Sequence, residues 1–295
     1  MKNEETKLQI LSHTVMIILS LMAILPFVLL IISSVTEESV ILKEGYSFFP
    51  SAISFEAYEY LWGIKDAITR SYGITILITI FGTIGSLAVS SLLAYPLSRK
   101  DLPMKKFLSF IVFFTLLFNG GLVPTYFVYT QVLDLKNTIW ALIFPTIFLN
   151  GFYVLLMRTF FKESIPDSLI ESARIDGAGE WRTLWSIVLP LATPIIATIG
   201  LFQAVIYWND WMNGLIFLTD TRLYSLQVLL NRILEDIQFL KTSDLGGQAG
   251  DAMANLPSSS VRMAIAAIGV IPMLIAYPFF QKYLKKGIAI GGVKG

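Results

Sequence analysis

In a chain this apolar the side chains able to do chemistry are few, and they gather in a few places. Gln203, Tyr207, Trp208, Asn209 and Asp210 fall inside one hydrophobic stretch. Gln203 and Asp210 are seven positions apart, so on a continuous helix they share one face with Tyr207 between them. A central Asp in hydrocarbon costs about 2.5–3.5 kcal/mol on insertion scales, so such groups face a water-filled cavity or a partner helix. Aromatic rings beside amide and carboxyl groups suit sugars, whose C–H faces are apolar and whose hydroxyls need hydrogen bonds. The alternative is that Asn209 and Asp210 tie helices together near the outer interface. A further element, Asn119-Gly120-Gly121-Leu122-Val123-Pro124-Thr125-Tyr126, must interrupt a helix. The backbone groups it frees are tolerable only when they line a cavity or are buried in protein, so Asn119 and Tyr126 either join the same polar path or mark a packing kink.

The densest charge between two membrane-grade apolar segments lies in Ile165 to Thr193. Pro166 ends what precedes it, and Ser168 with Glu171 three residues on has the spacing of a capping box, which predicts a short helix starting there. Ser172 and Ala173 make one side of that helix small enough for a partner surface, and Glu171, Arg174 and Asp176 stay available for charge pairing. Asp176-Gly177-Ala178 supplies a turn, because Gly tolerates positive φ. Helix resumes at Glu180-Trp181, with a kink at Leu189-Pro190.

Other chemistries lack their residues. The chain has no cysteine, which removes thiolate nucleophiles, disulfides and Cys-based metal sites, and its one histidine, His13, sits at the edge of an apolar run. No Walker A pattern or zinc-ligand spacing is present, and no paired acid and base suggest a catalytic centre or a metal site. A net charge of +1 argues against nucleic acid as a partner.

The elements that must position these residues follow from hydropathy. Of 295 residues, 55% are hydrophobic and 15% charged, and the mean hydropathy is +0.68, which predicts an all-α membrane protein. Six segments reach the roughly 20 apolar residues that a crossing needs: about 12–35, 72–97, 107–130, 138–161, 185–218 and 263–284. The first is long enough to span and has no small-residue cleavage site, so it reads as a retained helix. The second carries Gly73, Gly82, Gly85, Ser86, Ala88, Ser90, Ser91 and Ala94, which allow close helix packing. Lys and Arg concentrate at 99–106, 158–182 and 282–286, so these loops and both termini are expected in the cytoplasm, in contact with lipid headgroups. Residues 36–70 are acidic and lie outside. The outer loop at 219–262 pairs a helical periodicity over 223–239 with a Gly-rich run, Leu245 to Gly250, expected to be flexible. The organisation is then 1–70 for the first helix and outer loop, 71–284 for the core, and a Gly-rich tail, 285–295, expected to be extended.

Glu171-Ser172-Ala173, Asp176-Gly177-Ala178, Ile187, Leu189-Pro190-Leu191 and Pro194 together resemble the EAA loop of ABC importer membrane subunits in the carbohydrate-uptake, maltose-permease-like branch, with Ser172 in place of the commoner Ala. Trp208-Asn209-Asp210-Trp211 is similar to an element of those permeases, Asn119 to Tyr126 to the FxGGLxPTY stretch of permeases for larger oligosaccharides or polysaccharide fragments, and Gly287 to Gly295 to the family's GxxxGGVKG terminus. The resemblance implies a type I ABC importer permease fold with six transmembrane helices in a bacterial cytoplasmic (inner) membrane. It implies a second homologous permease, commonly a different chain, two cytoplasmic ABC ATPases that hold the ATP and Mg, and an extracytoplasmic sugar-binding protein reached by the 219–262 loop. In such an assembly 165–194 holds the coupling helix that docks on the ATPase through Glu171, and Gly291, Gly292, Val293, Lys294 and Gly295 insert between the ATPases. This chain would bind no cofactor and catalyse no reaction. A self-sufficient transporter driven by an ion gradient is the alternative, although no internal repeat supports it.

Overall fold

The fold is that of a computed structural model, which describes residues 2–147, 150–242 and 258–291. Its elements in order are α1 (Lys2–Ser34), α2 (Glu38–Glu44), α3 (Glu56–Gly63), α4 (Lys65–Ser98), α5 (Lys105–Leu117), α6 (Leu122–Phe127), α7 (Trp140–Ile147), α8 (Gly151–Ser164), α9 (Asp167–Ile175), α10 (Glu180–Thr183), α11 (Leu189–Leu191), α12 (Thr193–Trp208), α13 (Met212–Phe217), α14 (Leu226–Thr242) and α15 (Ser258–Gly291). Among the described residues there is no strand, only an isolated antiparallel bridge between Thr36 and Ile53.

Among the described residues three helices are long and apolar enough to cross a membrane unaided: α1 over Thr6–Ser34, α4, and α15 over Ser258–Pro278. The other three expected crossings are bent pairs. Lys105–Leu117 meets Leu122–Val132 at 111°, Glu180–Leu191 meets Thr193–Trp208 at 81°, and α7 is followed by α8. The causes are in the sequence. Gly121 takes φ +84° and its N–H donates to Asn119 Oδ1 at 2.8 Å, which turns the chain out of α5 and into α6. Pro190 and Pro194 each lack the N–H of a helical ladder, and the Pro190 carbonyl is met instead by the Thr193 hydroxyl at 2.7 Å. The expected kink at Leu189-Pro190 therefore falls at Ala192, between the two prolines.

Contacts divide the chain into two compact units, 1–66 with 230–272 and 67–229 with 273–295. In the first, the Ser34 and Tyr58 hydroxyls lie 2.8 Å apart and Val40, Ile41, Ala57 and Leu61 are buried. Glu38 on α2 accepts from the backbone N–H groups of Ser259 at 2.9 Å and Ser260 at 2.8 Å, and from the Ser260 hydroxyl, at the start of α15. A carboxylate there satisfies orphan donors and complements the helix dipole. Burial pushes the Glu38 carboxyl up, but the bonds from Ser260 and Ser259 outweigh it and hold the group below its ordinary value. With a folded pKa below the unfolded one, the stabilisation is present above the unfolded value and is lost as pH falls through the folded one. Unfolding measured in detergent from about pH 7 down to about pH 3 should show a loss near 1 kcal/mol, a helix-terminus scale discounted for partial exposure, that is absent in Glu38→Gln.

The second unit has an apolar core in which Ala94, Tyr95 and Leu97 of α4, Val112 of α5, Val154, Met157 and Phe161 of α8, Ile170 of α9, and Ile195 and Ile199 of α12 pack together. The periodicity over 223–239 is realised as α14, whose start is capped where Leu226 N–H donates to Thr75 Oγ1 at 2.7 Å. Its apolar residues Leu226, Leu230, Ile233 and Ile237 are buried within the chain.

Two expectations about the ends of elements are corrected. Ser258 to Ser260, expected in a loop, form the first turn of α15, where Glu38 meets their N–H groups. Residues 287–291, expected to be extended, continue α15, because adding residues to an existing helix avoids the cost of nucleation that a Gly-rich segment alone could not meet. The Leu245 to Gly250 run, Gly292, Val293, Lys294 and Gly295 lie outside the described residues.

Candidate functional site

α9 is amphipathic. Ile170 and Ala173 are buried, while Glu171, Ser172, Arg174 and Asp176 are exposed and Ile175 is 86% exposed. Its start differs from the capping box. Pro166 occupies the N-cap position without a side-chain hydrogen bond, and Asp167 is the first residue of the helix. The helix begins ahead of Ser168, which places Ser168 and Glu171 inside it instead of at the N-cap and N3 positions that the box needs. Asp167 instead pairs with Lys100 at 2.7 Å.

The end of α9 is the expected turn, made as a Schellman motif: Ala178 N–H donates to Ala173 O at 2.8 Å and Gly177 N–H to Arg174 O at 3.0 Å. Gly177 holds φ +79°, so the turn requires its missing side chain.

Two assignments on α9 change. Ala173 turns inward, as the i, i+3 spacing from Ile170 requires, so Ser172 alone supplies the small exposed surface. Arg174 is engaged within the chain: its Nη2 lies 2.8 Å from Asp101 Oδ2 and 2.8 Å from Glu180 Oε1. The guanidinium holds the Asp101 carboxyl below the usual range, and the hydrogen bonds to Glu180 and Asp101 raise Arg174. Among the described residues neither Glu171 nor Asp176 makes an ion pair.

Tyr95, Asp101 and Glu180 are members of this site that the sequence did not single out. Tyr95 OH donates to Glu180 Oε2 at 2.5 Å. A cleft of about 360 Å³ opens beside them, lined also by Leu92, Arg99, Leu102 and Trp181. A signal existed: Asp101 is the lone acid in the basic loop Arg99 to Lys106, and a single acid among cations is a pairing candidate.

The polar residues of the fifth crossing divide into two groups. Gln203 and Tyr207, on α12, are wholly buried. Gln203 Nε2 donates to Ser86 Oγ, whereas Gln203 Oε1 has no hydrogen-bond partner among the described residues. Tyr207 OH donates to Ile143 O at 2.9 Å. Trp208 is the last, buried residue of α12, and its ring lies 6.4 Å from that of Tyr72.

Because α12 ends at Trp208, Asp210 does not extend the Gln203 face as expected. It caps α13, accepting from Asn213 N–H at 3.1 Å and from Asn213 Nδ2 at 2.7 Å. Asn209 is exposed and donates to Val205 O at 2.9 Å. The cause is local: Asp and Asn compete for backbone groups and favour caps over helix interiors.

Tyr126 of α6 stacks on Phe217 of α13 with ring centroids 5.9 Å apart, while Asn119 stays exposed at the break. Thus α6 and the Asp210 corner meet through α13, and Gln203 sits apart between α12 and α4.

Comparison with known proteins agrees along the chain. Residues 6–290 match the family described as binding-protein-dependent transport system inner membrane component. A polygalacturonan/rhamnogalacturonan transport system permease protein of Bacillus subtilis (strain 168) is 38% identical over 282 residues, covering 95% of this chain and 96% of that protein. A melibiose/raffinose/stachyose import permease protein of the same organism is 30% identical over 277 residues, 92% of this chain and 91% of the relative. Among solved structures, a bacterial ABC transporter involved in the import of the acidic polysaccharide alginate superposes with a TM-score of 0.75 at 31% identity, over 93% of this chain and 95% of the other.

Proposed function

The chain belongs to the binding-protein-dependent transport system inner membrane components, as the permease subunit of a sugar-importing ABC transporter, and from that premise we propose how its parts act. It is a multi-pass component of the inner membrane and not itself an enzyme. The observation that carries this conclusion is the match over residues 6–290, nearly the whole chain. Dependence on a binding protein sets aside the ion-gradient alternative.

In the proposed arrangement both termini and α9 face the cytoplasm. A second homologous permease, a different chain, pairs with this one, and two ATPases lie below with ATP and Mg bound to them. Exposed Glu171, with Ser172 beside it, meets a basic residue of one ATPase. ATP binding closes the ATPases and moves α9, turning the assembly from inward-facing to outward-facing; the differential affinity for ATP in the two states supplies the free energy. A sugar-loaded binding protein docks outside. The cargo is an oligosaccharide or polysaccharide fragment, in keeping with relatives named for polygalacturonan and stachyose.

Gln203, with one half of its amide unmet, is proposed to take a cargo hydroxyl when α4 and α12 part. Gln203→Leu keeps the volume and removes the orphan acceptor. Its stability should stay within about 1 kcal/mol of wild type, while uptake falls about tenfold or more. Thermal unfolding and transport assays on the same preparation check both halves.

The test of the whole reading is co-purification of this chain with the neighbouring permease and ATPase, followed by ATP hydrolysis with oligogalacturonide-loaded or maltose-loaded binding protein. Stable association and sugar-stimulated hydrolysis are expected. A chain that purifies alone and transports sugar without nucleotide would refute it.

A further inference from the structure

Only short links join α9 to its neighbours: Ile165-Pro166 before it and Asp176-Gly177-Ala178-Gly179 after it. Gly177 has φ +79°, and a Cβ added to Gly177 or Gly179 would meet nothing within 4 Å, so apart from its backbone hydrogen bonds to α9 and α10 the second link has no packing around these two glycines to stiffen it. A displacement applied to the exposed Glu171 side of α9 would be dissipated by rotation in these links unless α9 were fixed to its neighbours at more than one point. Ile170, seated in the apolar core, is one such point.

Asp167 adds an exposed pair to Lys100 just beyond α4, and Arg174 adds a tie that reaches both that loop and α10. Its Nη2 donates to Asp101 Oδ2 and to Glu180 Oε1, each at 2.8 Å. Glu180 opens α10, and its other oxygen accepts from the hydroxyl of Tyr95, a buried residue in the last turn of α4. Asp101 stands three residues beyond the end of α4 at Ser98. Two independent bonds thus join α9, the end of α4 and the start of the bent fifth crossing around one guanidinium. Both bonds leave the same nitrogen, which stands at the far end of the guanidinium, farther from the backbone than a lysine ammonium extends.

We infer that Arg174 is a positioning residue that locks α9, the end of α4 and the start of α10 into one lever, so that displacement of α9 turns two crossings instead of being lost at Gly177 to Gly179. The inference rests on the proposal that α9 meets the ATPase. It differs from a purely stabilising role in a measurable way. The Arg174, Asp101 and Glu180 side chains are 41%, 51% and 55% exposed, and ion pairs this open contribute little to stability. Their loss should spare the fold and affect the coupling.

The experiment uses the whole complex in liposomes with its binding protein. It reads sugar taken up per ATP hydrolysed, retention of the ATPase subunits and the unfolding midpoint. In Arg174→Ala, uptake per ATP should fall about fivefold or more, the low end of typical coupling between sites, with ATPases retained and the midpoint within a few degrees of wild type. Arg174→Lys, which keeps the charge but has a shorter side chain than the one that carries Nη2 to both carboxylates, should fall between the two. Tyr95→Phe keeps the ring in the core and removes only the bond to Glu180, so about a twofold loss is expected even if Arg174→Ala folds poorly.

Wild-type uptake per ATP in Arg174→Ala, or in Arg174→Lys and Tyr95→Phe together, overturns the lever. So does loss of ATPase subunits from Arg174→Ala, which would make Arg174 a docking contact, or a midpoint that drops in step with uptake. If the wild-type complex hydrolyses ATP without responding to sugar, the proposal beneath the lever falls; a wild-type complex that couples, with variants that couple equally, sinks the lever alone.

Discussion

Gly82→Ala is expected to destabilise the chain by about 1–3 kcal/mol, the usual cost of forcing extra volume into a packed interior. A Cβ at this position of α4 would lie 2.3 Å from Tyr207 Cζ and 2.6 Å from both ring Cε atoms, over the face of the ring. The ring has little room to retreat, because Tyr207 is wholly buried and its hydroxyl is committed to Ile143 O at 2.9 Å. Helix propensity acts in the opposite direction, since Gly to Ala gains about 1 kcal/mol in a helix interior. The overlap should win, because neither helix backbone nor aromatic ring can yield without breaking that bond. Gly73 on the same helix is the control: nothing lies within 4 Å of its added Cβ, so Gly73→Ala should be neutral or stabilising. Gly82→Leu should give no folded chain. Combining Gly82→Ala with Tyr207→Leu removes the ring and should restore part of the loss, a non-additivity that a double-mutant cycle of unfolding midpoints would read. Equal stability of Gly82→Ala and Gly73→Ala would mean that α4 and α12 do not approach each other here.

The close approach at Gly82 shows how far one sequence can be read. Gly, Ser and Ala along the second apolar segment said that some helix comes near, and α12 does, but nothing in the spacing named Tyr207 as the group above Gly82. Features set by local chemistry were legible: the break at Asn119 to Gly121, the turn at Gly177, the restart at Glu180 and the proline-driven bend. Features set by pairing across the chain were not. Arg174 looked available because its partners are 73 residues before it and six after, and only the fold brings Asp101 beside Glu180. The face shared by Gln203 and Asp210 failed for a different reason. It assumed an unbroken helix, and Asn209 and Asp210, read as lining residues, are the kinds of side chain that terminate one.

Glu171→Arg should abolish sugar uptake while leaving the chain inserted and folded. Glu171 is exposed on α9, and among the described residues it makes no ion pair, only a longer-range attraction to the exposed Lys100, so its replacement breaks no ion pair within the chain; a surface change of this kind alters stability by no more than about 0.5 kcal/mol. The effect must then be felt where α9 meets its partner. If Glu171 faces a basic residue in a cleft of the ATPase, reversing its charge removes a pair and puts two cations together. Truncating one member of a desolvated interfacial pair costs about 2–5 kcal/mol, and reversal costs at least as much. That is about thirtyfold to several thousandfold in affinity, enough to lose the ATPases from the purified complex or to leave them bound and idle. Glu171→Gln keeps the shape and a hydrogen bond and should be milder; raising the salt concentration should weaken wild-type docking more than that of Glu171→Gln, because only the wild type relies on the charge. The comparison with Arg174→Ala separates two kinds of loss. A docking residue changes how much ATPase is retained, whereas a lever residue changes how much sugar each retained ATPase moves. Normal ATP-dependent uptake by Glu171→Arg would place the contact elsewhere on the 165–194 loop, and Asp176, also exposed and without an ion-pair partner among the described residues, would be the next residue to reverse.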